Sequence, residues 1–275
     1  MKKLTLCADD YGMHPQVSRA IVELIQQQRV QATSCLVTSD YWQESVHFVN
    51  DIRTQADIGL HLNFTEGSGL SNAFVNGLPG LGKMLALSHL RLLNTGHLVE
   101  EISAQFEAFT SATGFFPDFI DGHQHVHHLP QVRDALLKVI SRYSLSERFW
   151  VRSAYPMVSA TSDLKAQIIV GSGAKAFSRQ LQSNSIHHNS SFAGVYSLTP
   201  NQPFRQYMRQ WMHHLQHYGL VMCHPARAAS PGQFDHSRTR LQEYNYLKSQ
   251  EFIADCRENT IKLVRFSINH GSPAS

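Results

Sequence analysis

Through the first 65 residues, short apolar runs alternate with stretches whose apolar positions recur every three or four residues. "KLTLCA" reads as a buried strand, and Val17, Ala20, Ile21, Leu24 and Ile25 fall on one face of a helix over 15–28. "ATSCLVT" predicts a second strand, 41–53 a second helix, and "DIGLHLNF" a third strand. Strands alternating with amphipathic helices imply a parallel sheet covered by helices.

The rhythm lapses between Thr65 and about Gly96. Five glycines from Gly67 to Gly82 predict a long loop with no element of its own. Its interior apolar residues argue against a disordered linker, and long ordered loops in compact domains often serve function. The pattern then predicts a helix over 98–113, with Ile102, Phe106 and Phe109 on one face, and a strand "DFID". A histidine cluster follows, then a helix starting near Pro130, where proline suits the first turn. "RFWVRSAY", "GLVMCHP" and "TIKLVRFSI" predict further strands, and 203–218 and 240–258 predict helices, while 157–200 gives no clear pattern. Repeats, low-complexity tracts and linkers are lacking, so one domain over 1–275 is expected, with 65–96 as a glycine-rich loop insertion. About seven β/α units suit an α/β fold, an irregular (β/α) barrel with parallel strands.

A hydrophobic content of 42% with 16% charged residues is ordinary for a globular protein with a sizeable core. The formal charge of +3, with pI near 8.7 and no basic run, argues against a nucleic-acid partner. No stretch approaches ~18 uninterrupted apolar residues, so no membrane span is expected. In "MKKLTLCADDYG" the apolar run is short and broken by two aspartates, which does not suit a signal peptide. Four cysteines, Cys7, Cys35, Cys223 and Cys256, form no CxxC pair, and three lie in apolar runs, so buried thiols and a cytoplasmic location are expected, with two disulfides as the alternative. A homodimer is compatible with this composition, but nothing in the sequence demands one.

In parallel α/β architectures functional groups gather at the C-terminal ends of strands. Here those ends carry Asp9 and Asp10, His61, then Asp121, His123 and His125, then Arg152, and finally His224. Each has a bland alternative: "ADDYG" suits a turn with a helix cap, and a lone His61 suits a hydrogen-bonded core. The 123–128 run lies in a chain with 17 histidines, and those around His187 and His213 read as surface. Four separate strand ends delivering Asp or His is the more specific signal. His123, His125 and His127 alternate, and in an extended chain residues two apart share a face. Imidazole with carboxylate suits Zn, Fe, Ni or Co, and a carboxylate with only two nitrogens also suits Mg or Mn. Three protein ligands leave positions open for water and substrate. Neighbouring carboxylates at a strand end diverge, so one can bind a metal while the other faces water that the metal acidifies. That second carboxylate serves as general base, and His224 can protonate a departing group.

The motifs "ADDYG", "GLHLNF", "DGHQHVHHLP" and "MCHPA", in this order from Ala8 to about Phe266, resemble those of the YdjC-like carbohydrate deacetylases. This is the family of chitooligosaccharide and hopanoid-pathway deacetylases. The resemblance implies an irregular barrel related to polysaccharide-deacetylase barrels, and a divalent metal, Mg or Zn foremost. It also implies removal of an N-acetyl group from a small N-acetylated sugar, with release of acetate. By the matching motifs, Asp10, His61 and His123 are the expected metal ligands, Asp9 the general base and His224 the general acid. His125 takes a supporting role, His127 is a weaker candidate, and His128 is expected to face solvent. The family's "HPG" is His224-Pro225-Ala226 here, and 65–96, which should border the substrate, matches no particular subfamily.

Asp121 is expected to orient a ligand histidine from behind. Arg152 is expected to hold Asp9 or orient a carboxylate, with a structural ion pair as the alternative. Phe64, Tyr155 and Trp150 are candidates to line a sugar site, although core packing suits Trp150 better. Two rivals remain at this level. Metal hydrolases of the amidohydrolase or phosphoesterase type also use HxH on a barrel, but on the first strand, where this chain has Asp-Asp. A non-catalytic carbohydrate- or metal-binding protein on the same scaffold has no need of a base, an acid and ligands together.

Overall fold

The computed structural model describes residues 1–158, 169–199, 202–227, 234 and 236–268. β1 (Lys2–Tyr11) is buried from Leu4 onward and runs through both aspartates. The other strands are β2 (Ala32–Cys35), β3 (Asp57–Leu62), β4 (Phe119–Gly122), β5 (Trp150–Val151), β6 (Phe192–Ala193), β7 (Gly219–Cys223) and β8 (Ile261–Leu263). They form one sheet in the order β5-β4-β3-β2-β1-β7-β6, with β8 on β1. Among the described residues every ladder is parallel. The two ends of the sheet are joined by isolated bridges, Trp150 to His187 and Met157 to Phe192, so the curl is an irregular barrel.

The two faces of this sheet carry different cores. Leu4, Leu6, Ile58, Leu60, Ile120, Val151 and Val221 pack outward on helices. Cys7, Ala32, Phe119, Trp150, Phe192, Leu220 and Met222 occupy the alternate positions and pack together inside. Phe119 stacks on Trp150 at 4.1 Å between ring centroids. A Cβ on Gly59 would come within 2.5 Å of the Phe119 ring, so only glycine leaves room for that stack. Two residues further along the strands, the inward positions become polar: Asp9, His61, Asp121, Arg152 and His224. The polar groups therefore rest on an apolar floor.

The helices are α1 (Pro15–Gln26), α2 (Leu81–His89), α3 (Thr95–Thr113), α4 (Val132–Ile140), α5 (Lys175–Ser183), α6 (Phe204–His214), α7 (Ser237–Lys248) and α8 (Gln250–Glu258). α3 starts where Asn94 accepts from the N–H groups of Gly96 and His97, and ends at left-handed Gly114. The stretch 65–96 is not devoid of elements, because α2 forms there; it is only nine residues long, starts at a glycine cap with Gly82 in its first turn, and buries little of its length, so the glycines mask it in the sequence. The helix expected over 41–53 is a series of short turns, Trp42–Ser45, Val46–Phe48 and Val49–Ile52. The single helix expected over 240–258 is two, because Ser249 is extended and its hydroxyl caps α8 by accepting from Phe252 N–H. "TIKLVRFSI" pairs only over Ile261–Leu263. In the unreadable 157–200, α5 and β6 form, while 159–168 and 200 lie outside the described residues. The four cysteines are free and buried. Among the described residues no helix is long and apolar enough to cross a membrane.

Candidate functional site

The β1–β2 register slips between Ala8 and Tyr11, and Asp10 adopts a left-handed φ of 66°. An irregularity of this kind re-aims a side chain that simple alternation would send to the outer face. Asp9 follows the inner face to Arg152, and Asp10 is turned toward the histidines. Its Oδ1 lies 3.4 Å from His61 Nε2 and 3.1 Å from His123 Nδ1. Arg240 of α7 donates to its other oxygen at 2.6 Å. Burial would raise the Asp10 pKa, but Arg240 and the hydrogen bonds from both histidines outweigh it and hold the carboxyl well below its usual range.

His61 and Asp121 are register partners on β3 and β4, and His61 Nδ1 lies 2.6 Å from Asp121 Oδ1. Asp121 thus stands behind the imidazole whose other nitrogen faces Asp10. Burial lowers the His61 pKa, but the charge of Asp121 and hydrogen bonds to Asp10 and Asp121 push it up to about 10. The pocket concentrates negative charge that a proton or a cation can answer.

Asp10, His61 and His123, all buried, each offer a ligand atom within 4.8 Å of the others. The 3.1 and 3.4 Å separations suit neighbouring ligands around a cation bound at roughly 2.1 Å. One carboxylate and two imidazoles are also a chemically apt donor set, so these residues fit a divalent metal. A second group, Cys7, Asp9 and Asp121, has similar spacing. There the Arg152 guanidinium already sits among the three. Its Nη2 is 2.5 Å from Asp9 Oδ1, 2.5 Å from Asp121 Oδ2 and 3.0 Å from Cys7 Sγ, and its Nη1 donates to Asp9 Oδ2 at 2.7 Å. Burial opposes this charge, but Asp121 and Asp9 outweigh it and keep Arg152 firmly protonated.

The histidine run is not extended. After Gly122 it coils through a 3₁₀ turn, His123–His128, with Gln124 and His125 in left-handed conformations. The side chains of 123, 125 and 127 are therefore dispersed rather than aligned. His123 remains with Asp10, His125 lines the cavity, and His127 turns behind, its Nε2 3.2 Å from the Arg152 carbonyl. His128 does not face solvent. It is fully buried against Phe177 of α5, and burial together with the Arg152 charge lowers its pKa to about 3. The covering helix α5 comes from the stretch where the sequence shows no pattern. His213 is exposed, as its helix-face context suggests, and His187 is half-buried.

His224 follows β7, is half-buried, and lines the same cavity as Asp9 and Asp10. Its backbone N–H donates to Glu243 Oε2 at 2.5 Å. Ala226 N–H donates to the Arg240 carbonyl at 3.1 Å, and Ala226 is not among the left-handed residues, so this turn does not need glycine. The cavity has a volume of about 570 Å³, of the size that encloses a small ligand. Leu81 and Leu85 of α2 form one wall, and Val195, Tyr196 and Leu198 another. Of the expected aromatics, Phe64 and Trp150 are fully buried in the core, and Tyr155 does not reach the cavity. They lie outside it because Phe64 packs on Phe74 and Trp150 on the floor stack.

Three site residues escape a reading of the sequence. Glu66 Oε1 lies 3.1 Å from His123 Nε2 and accepts from Gln124. Arg240 and Glu243 come from α7. Glu66 lies just past "GLHLNF" but in the glycine-rich stretch, Arg240 and Glu243 adjoin no motif, and an acid or base in a loop or helix looks like any surface charge.

Fold and site together define a parallel α/β barrel protein with a buried carboxylate–histidine cluster in its mouth. The chain belongs to the YdjC-like protein family, whose model matches residues 3–258. A carbohydrate deacetylase of Xenopus laevis is 30% identical over 155 residues, which take in 52% of this chain and 49% of that protein. The match thus spans about half the length of that relative. A carbohydrate deacetylase of Brevibacillus brevis is 24% identical over 96% of this chain and 98% of its own. Among solved structures, an Enterococcus faecalis protein assigned provisionally to cellobiose-phosphate cleavage has a TM-score of 0.74 at 21% identity, covering 97% of this chain and 98% of that one.

Proposed function

We propose that the protein is a metal-dependent hydrolase that removes the N-acetyl group from an amino sugar or N-acetylated oligosaccharide and releases acetate. The observation that carries this reading is the convergence of Asp10, His61 and His123 at one wall of a cavity that Asp9 and His224 also line. Family membership and carbohydrate deacetylases among the relatives support the same substrate class.

Asp10, His61 and His123 hold the divalent metal, Mg or Zn, and Asp121 fixes the tautomer and direction of His61. When bound, the metal polarises a carbonyl and acidifies water near neutral pH. Asp9, aligned by Arg152, accepts the proton from water as it attacks the acetamide carbonyl. His224 donates a proton to the nitrogen of the departing amine. Arg240 and Arg152 neutralise the two aspartates so that both stay buried without repelling each other. Leu81, Leu85 and Leu198 line the same cavity and offer a substrate apolar surface. The single sheet supports a single-domain reading of 1–275, and the four buried thiols support a reducing, cytoplasmic setting.

Acetate release from a panel of N-acetylated sugars, with and without chelator, tests the reading. Chelator-sensitive release from at least one sugar is expected. Metal bound without acetate from any sugar would instead favour a binding protein on this scaffold. Chelator-sensitive hydrolysis confined to phosphate esters or cyclic amides would favour the other metal hydrolases.

A further inference from the structure

Glu243 is fully buried on α7, and none of the ion pairs among the described residues includes it. Two neutral donors hold it: the Tyr196 hydroxyl on Oε1 and the His224 backbone N–H on Oε2 at 2.5 Å. One helical turn earlier, Arg240 reaches Asp10, and its carbonyl accepts from Ala226 N–H. Residues three apart share a helix face, so one face of α7 grips both ends of the segment 224–226 and also the Asp10 carboxylate. Burying a carboxylate without an opposite charge in contact is costly. Burial pushes Glu243 up to about 7 against the hydrogen bonds from Tyr196 and His224 and the charge of Arg240. Tyr196 can donate to the carboxylate or accept from the carboxylic acid, so either form keeps an oxygen for the His224 N–H.

We propose that Glu243, steadied by Tyr196, is the positioning residue that fixes the backbone of His224 and thereby aims its imidazole at the leaving group. This rests on the deacetylase reading, with His224 as the proton donor. Without the carboxylate, the chain after Cys223 loses its anchor next to the strand end, and the imidazole loses its aim. The deficit falls on steps that need a proton delivered to the leaving group. It spares substrates whose leaving group departs as a stable anion.

The experiment compares kcat on an N-acetylated amino sugar with kcat on 4-nitrophenyl acetate, for the metal-loaded wild type, Glu243→Gln and Glu243→Ala. The expected result is a fall in the amide-to-ester ratio of about tenfold or more in Glu243→Ala, a part of what a well-placed general acid supplies. In Glu243→Gln, whose amide oxygen can still accept from His224, the fall is about threefold, because the bond is no longer charge-assisted. KM for the sugar stays within about twofold of wild type in both, as loss of an interaction made only in the transition state requires. A ratio unchanged from wild type overturns the inference, as do equal losses on both substrates; if Glu243→Ala does not fold, Glu243→Gln alone decides. A wild type active on N-acetylated sugars with an unchanged ratio in the variants leaves the deacetylase reading standing. A wild type inactive on every such sugar overturns that reading and this inference together.

Discussion

At the scale of single residues, Asp9 and Asp10 are neighbours in sequence with different surroundings. Asp9 is clasped by Arg152, while Asp10 meets two imidazoles and Arg240. Asp9→Asn keeps an oxygen for Arg152 and leaves the ligand group intact. It is expected to bind metal at wild-type stoichiometry and lose about 10²- to 10⁴-fold in kcat, the usual worth of a general base. His61→Ala is expected to lose the metal as well, which elemental analysis after desalting would reveal. Near-normal turnover in Asp9→Asn would remove the base assignment. Asp118, at the opposite end of the strands, makes a prediction about stability. Burial raises its pKa to about 6, against a hydrogen bond from Ile58 N–H. The folded carboxyl therefore keeps a proton that the unfolded one releases near pH 4. Between about pH 4 and 6 the native state binds more protons, so this group's contribution to stability falls as pH rises. Asp118→Asn, which still offers Ile58 an acceptor, should gain on wild type across that window, by on the order of 2 kcal/mol at pH 7. Urea unfolding at pH 4 and pH 7 measures it, and an equal difference at both would exclude the carboxyl as its source.

At the scale of elements, the long stretch between β3 and α3 is ordered by a buried acid. Glu101 of α3 accepts from the backbone N–H groups of Leu70 and Ser71 and from Gln105. Gln105 in turn donates to the Asn63 carbonyl at the end of β3. This stretch leads into α2, whose leucines wall the cavity, and it carries Glu66. Glu101→Ala leaves buried N–H groups unpaired, at about 2–3 kcal/mol, and should raise KM for the sugar more than it lowers kcat. An unchanged KM would mean that the stretch does not contact substrate. The parallel strands and their polar tips were legible because carboxylates and imidazoles interrupt apolar runs where a buried strand has no use for them. The bulge that turns Asp10 was not, since it is a matter of ladder register rather than residue type. Nor was the burial of His128 or the reach of Glu66, Arg240 and Glu243, because each depends on a helix or loop arriving from far along the chain. Short paired segments such as β5 and β6, two residues each, carry too little pattern to delimit.

At the scale of the whole molecule, a metal that joins β1, β3 and the turn after β4 should tie folding to its own concentration. With free metal at 100 times its Kd, the native state gains about 2.7 kcal/mol, and a chain of this size should lose roughly 5–10 °C in Tm on chelation. Calorimetry with and without chelator checks this, and His61→Ala should show no metal-dependent shift. A wild-type Tm indifferent to both metal and chelator would argue that these residues hold no ion.

Asp9, His61, Asp121, Arg152 and His224 each stand two places beyond an inward position of the barrel floor, on five different strands or strand ends. Because side chains alternate along a regularly paired strand, their common direction depends on register. A one-residue insertion or deletion within any of these strands would turn that strand's contribution away from the others while leaving composition almost unchanged. The loops above can lengthen, shorten or change character without that penalty. Variation among such chains should therefore fall on what the mouth recognises, and length changes within the strands should be borne badly even where every functional residue is retained.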